Sequence, residues 1–258
     1  MLKTVCTPDV NAKLKARYSK TLNRNDLENL MKQNNIKDAI ILLKSKIEGL
    51  DKLEINANRV ELEKSLDSIV ETDLKVIKKY LSNSGIKILE AYLMKYKIDV
   101  EFDNSFAKLY FSNFLNAVSG TNKILEKQLK IEMDLLNIIW TYRYTRKNQF
   151  NPNLVLGKGY KININILKEI AKVNNVEEIK EILANTSYAN VFKTNIEKDF
   201  KQYLYEMYKR NFERNIFDIS MVINYFEMLE IEKKNIITII EGIRYKLPAK
   251  EINSKIII

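Results

Sequence analysis

Two stretches of the chain, beginning at residues 34 and 174, carry the same pattern of apolar and polar residues. The sequence Asn34-Asn35-Ile36-Lys37-Asp38 aligns with Asn174-Asn175-Val176-Glu177-Glu178. The same alignment also matches Leu27 with Leu167, Leu30 with Ile170, Lys32 with Lys172, Leu42 with Ile182 and Leu43 with Leu183. A repeat of this kind constrains the fold strongly, because one supersecondary unit must be built twice.

Each copy is predicted to be a helical hairpin. Asn35 and Asn175 stand where a helix N-cap belongs, and Asp38 and Glu178 follow three residues later. A carboxylate at that position can accept a hydrogen bond from the backbone N–H of the cap. Since one hairpin cannot bury its apolar face alone, we expect a helical assembly built from similar lobes.

The remaining sequence also favours an all-α fold. Only 6 Gly and 3 Pro occur in 258 residues, too few for a sheet of many short turns, and apolar residues recur at helical spacing. Besides the hairpins, helices are predicted over Val10 to Leu22, Leu53 to Leu81, Ile86 to Tyr96, Asn104 to Val118, Thr121 to Tyr144, Ile196 to Asn211, Ile216 to Tyr245 and Ala249 to Ile257. We divide them into an N-terminal lobe (1–101), a middle lobe (102–195) and a C-terminal segment (196–258) that packs with the other lobes.

A second repeated element lies beside the hairpins. The sequence Asp134-Leu135-Leu136-Asn137-Ile138-Ile139 is similar to Glu232-Lys233-Lys234-Asn235-Ile236-Ile237. Buried Asn side chains need hydrogen-bond partners, so Asn137 and Asn235 are predicted to bond a neighbouring helix.

Residues that carry catalysis are scarce. The chain has no His, which excludes the commonest general base and metal ligand, and its single Cys, Cys6, cannot form a thiolate metal site. Gly157-Lys158-Gly159 lacks the rest of a dinucleotide or P-loop motif and is interpreted as a loop. The pairs Glu61/Glu63 and Glu230/Glu232 resemble solvated surface. We therefore predict no catalytic residues, no metal site, no cofactor and no small-molecule substrate.

The charge balance favours an acidic partner. There are 43 Lys and Arg against 33 Asp and Glu, a net charge of +10. Nucleic acid, anionic lipid headgroups and an acidic protein surface all fit such an excess. A solvated helix surface rich in Lys fits it equally well. The sequence contains no apolar run long enough to span a bilayer and no secretory signal, so a cytoplasmic protein is expected.

Several segments together resemble a known family. Val10-Asn11-Ala12-Lys13-Leu14-Lys15-Ala16 is similar to the opening of the C subunit of bacterial and archaeal rotary ATPases, called subunit d in the eukaryotic vacuolar enzyme. Further resemblance lies in Glu61 to Leu66 with Asp73-Leu74, in Leu183 with Thr186 and Tyr188, and in Asn235 to Ile243 with Lys250-Glu251-Ile252. Their order along nearly the whole chain strengthens the resemblance.

The resemblance implies a funnel-like, pseudo-threefold helical protein that performs no catalysis. Such a protein sits peripherally on the membrane rotor ring at the cytoplasmic face, and its socket receives the tip of the central stalk. One departure stands out: family members carry another lobe between the equivalents of Met94–Ile98 and Phe106–Phe111, where this chain has only Asp99 to Ser105. One lobe is therefore expected to be shortened or absent.

In the architecture that the resemblance implies, basic residues of the repeats come near one another around the axis. We predict that they line the surface that meets an acidic stalk tip: Lys13, Lys15, Arg17, Arg143, Arg146, Arg244 and Lys246. Two other functions stay open at this point. One is a basic helical-repeat protein that binds nucleic acid, and the other is a general helical scaffold with one peptide partner. The ion pumped, proton or sodium, is left open as well.

Overall fold

The computed structural model of the protein describes residues 8–97, 104–145 and 151–258. Within these ranges the chain forms twelve α-helices and no strand, and 72% of the residues are helical. The all-α class is confirmed. No helix in the described ranges combines the length and the apolar character that crossing a bilayer requires. Cys6 and Arg146 lie outside the described residues.

The helices follow one another along the chain. Their bounds are α1 Pro8–Tyr18, α2 Arg24–Met31, α3 Ile36–Lys46, α4 Arg59–Lys78, α5 Asn83–Leu93, α6 Asn104–Val118, α7 Lys123–Thr145, α8 Ile164–Ile170, α9 Val176–Leu183, α10 Ile196–Arg214, α11 Ile219–Arg244 and α12 Ala249–Lys255. Two 3₁₀ turns, Met94–Lys97 and Pro152–Leu154, lie between them. The main difference from the predicted bounds is that α4 begins at Arg59 rather than Leu53. Asn58 caps it: its Oδ1 accepts from the N–H of Glu61, and its own N–H donates to Glu61.

The described chain divides into two compact units. The first combines the chain up to Ser82 with Tyr205–Ile258, and the second spans Asn83–Leu204, so the boundary at 204/205 falls within α10. These boundaries differ from those of the three segments 1–101, 102–195 and 196–258, whose assignment as lobes stays a prediction. The funnel-like arrangement of lobes also stays a prediction.

Each unit holds one copy of the repeated hairpin. In the first unit α2 and α3 bury Leu27, Leu30 and Leu43, and in the second unit α8 and α9 bury the matched Leu167, Ile170 and Leu183. Equivalent positions therefore face the core in both copies. The prediction of two helical hairpins is confirmed.

The predicted caps of these hairpins are confirmed with one difference. Asn35 Oδ1 accepts from the N–H of Asp38, and Asn175 Oδ1 accepts from the N–H of Glu178, both at 2.9 Å. The carboxylates, however, accept from the side-chain amides of Asn35 and Asn175, at 2.7 and 2.9 Å, rather than from the backbone of the cap. An Asn cap offers two kinds of donor to this carboxylate, its side-chain amide and its backbone N–H. The side chain is the donor at Asn35 and Asn175, whereas the backbone N–H is the donor at Asn58.

The core of the first unit is formed by apolar residues of α2, α3, α4, α11 and α12. Gly242 allows α12 to approach α11 closely, because a Cβ at this position would lie 2.6 Å from Cγ1 of Ile252. After α12, Asn235 holds the C-terminus: its Oδ1 accepts from the N–H of Ile257 at 2.9 Å, and its Nδ2 donates to the Ile257 carbonyl at 2.5 Å. The end of the chain is thereby fixed to α11.

In the second unit, α7 holds a loop in a similar way. Asn137 Oδ1 accepts from the N–H of Leu156 at 2.8 Å. Both Asn side chains are buried and bonded, as predicted, but each partner is a non-helical segment rather than a neighbouring helix. The physical reason is that backbone groups within a helix are already paired, whereas those of a loop need partners.

Candidate partner-binding site

The first unit contains an open cavity of about 530 Å³. Its walls come from α1, α4 and α11, together with the segments that follow α1 and α3. We refer to it as the α1/α4/α11 cavity. The volume lies within the range of ligand-binding clefts, and the open side can admit side chains of a partner protein.

A buried carboxylate joins the three helices at the cavity wall. Asp73 on α4 is 2% exposed. It accepts hydrogen bonds from the guanidinium of Arg17 on α1 and, at 2.6 Å, from the hydroxyl of Tyr225 on α11. Burial raises the pKa of Asp73, while the Tyr225 and Arg17 bonds oppose that rise. Because these donors satisfy the carboxylate, it acts as a structural tie between helices.

Charged side chains also line the mouth of the cavity. Lys13 Nζ lies 5.0 Å from the centroid of the Tyr80 ring, and Lys13 has no carboxylate partner among the described residues. Lys20 pairs with Glu48 at 2.6 Å, but both side chains are largely exposed, at 60% and 78%. An ion pair this exposed adds little stability, so both charges stay accessible to a partner.

Glu232 on α11 has the largest pKa shift among the acids of the cavity wall. Its Oε1 accepts from the backbone N–H of Leu22 at 2.6 Å. Burial raises the pKa of Glu232 to about 7, the repulsion of Asp26 acts in the same direction, and the Leu22 bond opposes them. The interpretation of Glu230/Glu232 as solvated surface is therefore wrong for Glu232, and it is wrong for Glu230 too, whose side chain is only 13% exposed and pairs with Lys233. The segment after α1 covers the Glu232 side chain, which no local pattern on α11 indicates.

The predicted interface residues are distributed over both units. Lys13 and Arg17 line the α1/α4/α11 cavity, while Lys15 is exposed and does not line it. Arg244 donates to Glu241 and to the carbonyl of Ala57. Lys246 is exposed just after α11, in the left-handed conformation with φ of 55°.

In the second unit, Arg143 donates twice to Glu197 Oε1, at 2.7 and 3.0 Å. Arg146 lies outside the described residues. Of the predicted residues, Lys13 and Arg17 thus lie together at one cavity of the first unit. Arg17, Arg143 and Arg244 each form hydrogen bonds within the unit to which they belong. The role of the whole set as one partner surface stays a prediction.

Sequence reasoning missed Asp73, Tyr225 and Glu232 as site residues. A signal for Asp73 was present, since it follows Leu62 and Leu66 on the buried stripe of α4 and precedes Ile77. An acid in such a stripe must find partners or shift its pKa. For Glu232, the available indication was its alignment with Asp134 in the repeated element that also contains Asn137 and Asn235.

In the second unit, Asp134 occupies the matching position on α7. Its Oδ2 accepts from three successive backbone N–H groups, those of Tyr160, Lys161 and Ile162, and from the Tyr188 hydroxyl at 2.8 Å. Burial raises the pKa of Asp134, and these donors oppose the rise. Gly159 is required beside it, because a Cβ there would lie 1.8 Å from Asp134 Oδ1. The Gly157–Gly159 segment is thus a structural loop, as predicted.

The described residues contain no group of three or more acidic, Cys or His side chains that is arranged to hold a metal ion. The α1/α4/α11 cavity combines apolar side chains with the ion-paired Arg17, Lys20 and Lys233, with Lys13, and with the acid Glu232.

Comparison with known proteins identifies the family. The family model of the ATP synthase (C/AC39) subunit matches residues 10–100 and 99–255. The two matched segments meet at residues 99–100, beside the place where the sequence analysis puts a shortened lobe, which stays a prediction. No curated protein matches the chain. Because the family match covers almost the whole sequence, the chain belongs to the C/AC39 subunit family of V/A-type ATP synthases.

Proposed function

We propose that this chain is a non-catalytic rotor adaptor of a V/A-type rotary ATPase. It links the central stalk to the membrane rotor ring and transmits torque for ATP-driven proton or sodium transport. The observation that carries the proposal is the family match over residues 10–100 and 99–255. In this role the protein lies peripherally on the cytoplasmic face of the membrane, held there by the ring.

Torque transmission requires rigid elements, and the helices of the first unit support that requirement. α4 has 20 residues and α11 has 26, which correspond to lengths of about 30 and 39 Å. The bond from Tyr225 to Asp73 ties the two helices together, and Asn235 fixes the C-terminus to α11. Lys233 on α11 adds a second polar contact, an ion pair of 2.8 Å with Asp67 on α4. Directional polar bonds of this kind resist sliding of the two helices in addition to apolar packing.

The α1/α4/α11 cavity is the candidate contact for the stalk. Its lining carries four cationic side chains, Lys13, Arg17, Lys20 and Lys233, against the acidic Glu48, Asp73 and Glu232. Apolar walls beneath a basic mouth favour a partner segment that presents apolar residues flanked by carboxylates. Such charge complementarity acts mainly on the association rate and on register.

The test is a binding experiment with the purified chain. We expect it to bind the central-stalk subunits or the solubilised rotor ring of its own complex with micromolar or tighter affinity, roughly 8 kcal/mol. Lys13→Glu should slow association with the stalk at low salt. Lys32→Glu is the matched control, because Lys32 is exposed and lies outside the cavity.

The competing function is sequence-independent binding of nucleic acid. It predicts retention on random duplex DNA and a steep loss of that retention as salt rises. Binding to DNA without binding to either rotor partner would contradict the adaptor function and favour this alternative.

A further inference from the structure

Glu232 differs from the acid at the matching repeat position of the other unit. Asp134 is fully buried and accepts four hydrogen bonds at one oxygen, so its environment is closed. Glu232 accepts one backbone bond, from Leu22, and its side chain lines the α1/α4/α11 cavity. The same position is therefore a closed anchor in one unit and faces a cavity in the other.

Glu232 also ties the segment after α1 to α11. Leu22 and Glu232 are 210 positions apart, and their bond of 2.6 Å joins the α1–α2 connection to the middle of the longest helix. An ionised carboxylate accepts such a bond more strongly than a neutral carboxyl does. The ionisation state of Glu232 therefore sets the strength of the bond that holds the α1–α2 connection, which forms one edge of the cavity.

The titratable and charged groups around Glu232 lie on α1, α2, α4, α10 and α11 and in the connections that follow α1 and α3. Electrostatic coupling joins it to Tyr18, Asp26, Tyr205 and Tyr225. The charged groups that share the cavity lining with it are Lys13, Arg17, Lys20, Glu48, Asp73 and Lys233. Three of the cations pair with other acids. Arg17 pairs with Asp73, and Lys20 pairs with Glu48. Lys233 pairs with both Asp67 and Glu230. Glu232 itself has no ion-pair partner among the described residues.

We propose that Glu232 is a proton-binding site that couples docking of the partner in the α1/α4/α11 cavity to the uptake of one proton. When a partner fills the cavity, it displaces the remaining water beside this partly buried carboxyl group, and acidic residues of the partner add like charge. Both changes disfavour the ionised form of the group. The complex therefore holds Glu232 protonated, while the free protein at neutral pH holds it partly ionised. The inference rests on the proposed function, because it takes the stalk segment as the occupant.

The direction of the pH effect follows from linkage. A bound state that holds an extra proton is favoured at low pH, so affinity for the stalk should fall as pH rises above about 7. The fall is at most about tenfold per pH unit, since one proton is involved. Cytoplasmic acidification would then tighten the adaptor on its partner.

The first test uses the protein alone. In ¹⁵N-labelled protein the amide resonance of Leu22 should titrate with a midpoint near pH 7, because its N–H donates to Glu232. Glu232→Gln should abolish that titration. Glu230→Gln is the matched control on the same helix, where Glu230 pairs with Lys233, and it should retain the titration. A Leu22 amide that does not titrate between pH 6 and 8 in the wild-type protein would overturn the proton site.

The second test measures the protons taken up on binding. Titration calorimetry with purified central-stalk subunits at pH 7.5, in two buffers of different ionisation enthalpy, should show uptake of more than about half a proton per chain. Glu232→Gln should bind with almost no uptake. Wild-type binding with equal affinity from pH 6 to 8 and no uptake would overturn the inference and leave the adaptor function standing. If wild-type protein binds no stalk subunit at any pH, the inference fails, and if it also binds no rotor ring, the adaptor function fails with it.

Discussion

The hydroxyl of Tyr225 on α11 donates a hydrogen bond of 2.6 Å to Oδ2 of Asp73 on α4, across 152 positions in the chain. Both side chains are almost fully buried, at 2% exposure each. Burial and the Asp73 bond raise the pKa of Tyr225, so its hydroxyl keeps the proton that it donates. The two longest helices of the first unit are thereby joined by a polar contact within an apolar interface.

Removing this hydroxyl should destabilise the protein. Tyr225→Phe leaves Oδ2 of the buried Asp73 without its donor, and we expect the free energy of unfolding to fall by about 1–3 kcal/mol. Urea denaturation followed by circular dichroism measures the change. Tyr245→Phe is the control, because Tyr245 is 71% exposed. Equal stability of the two variants would show that the contact contributes nothing.

Reversing the charge of two basic residues of α1, one at a time, should show that Arg17 stabilises the fold and that Lys15 does not. Arg17→Glu removes the partner of buried Asp73 and adds a like charge beside it, so the free energy of unfolding should fall by about 2 kcal/mol, after allowing for solvent screening of the Arg side chain, which is 36% exposed. Lys15→Glu should change it by less than ~0.5 kcal/mol, because Lys15 is exposed. The same urea experiment compares them. A stable Arg17→Glu protein would contradict the tie between α1 and α4.

Adding a methyl group at Gly159 should disrupt the loop around Asp134. The new Cβ of Gly159→Ala would lie 1.8 Å from Asp134 Oδ1 and 3.1 Å from the Lys130 carbonyl, so the loop must move and lose bonds to Oδ2. We expect a loss of roughly 2–4 kcal/mol in the free energy of unfolding. The neighbouring exposed Lys158→Ala is the control. An unchanged melting temperature in Gly159→Ala would mean that the loop adapts without cost.

The stability of the protein should depend on pH through Glu232. Its pKa in the folded state, about 7, is above the reference value of 4.5 for the unfolded chain. The folded state therefore binds the extra proton, and this contribution to stability is fully present below pH 4.5 and lost as pH rises through 7. Its slope is at most about 1.4 kcal/mol per pH unit. Urea unfolding at pH 5, 6, 7 and 8 should show that slope in the wild-type protein and a smaller one in Glu232→Gln. Identical slopes in both proteins would contradict this assignment.

The hairpins were predictable because their determinants are local. The caps at Asn35 and Asn175 and the apolar positions around them lie within a few residues, so the sequence pattern contains the necessary information. The same reason explains why α6, Asn104–Val118, has the predicted bounds.

The candidate site depends on contacts between distant parts of the chain. Asp73 meets Tyr225, and Leu22 meets Glu232, only after α1, α4 and α11 have packed together. The charged neighbours of Glu232, including Lys233 and Lys234, are typical of a solvated face, and the covering segment comes from the other end of the chain. Periodicity along α11 therefore cannot report the burial of this carboxyl group.

The most direct test of the adaptor function is to rebuild the rotary complex with and without this chain and to measure ATP hydrolysis and ion transport in sealed vesicles. A torque-transmitting adaptor predicts that complexes lacking the chain still hydrolyse ATP but no longer accumulate ions, and that adding the purified chain restores transport. Undiminished ion transport by complexes verified to lack the chain would contradict the account.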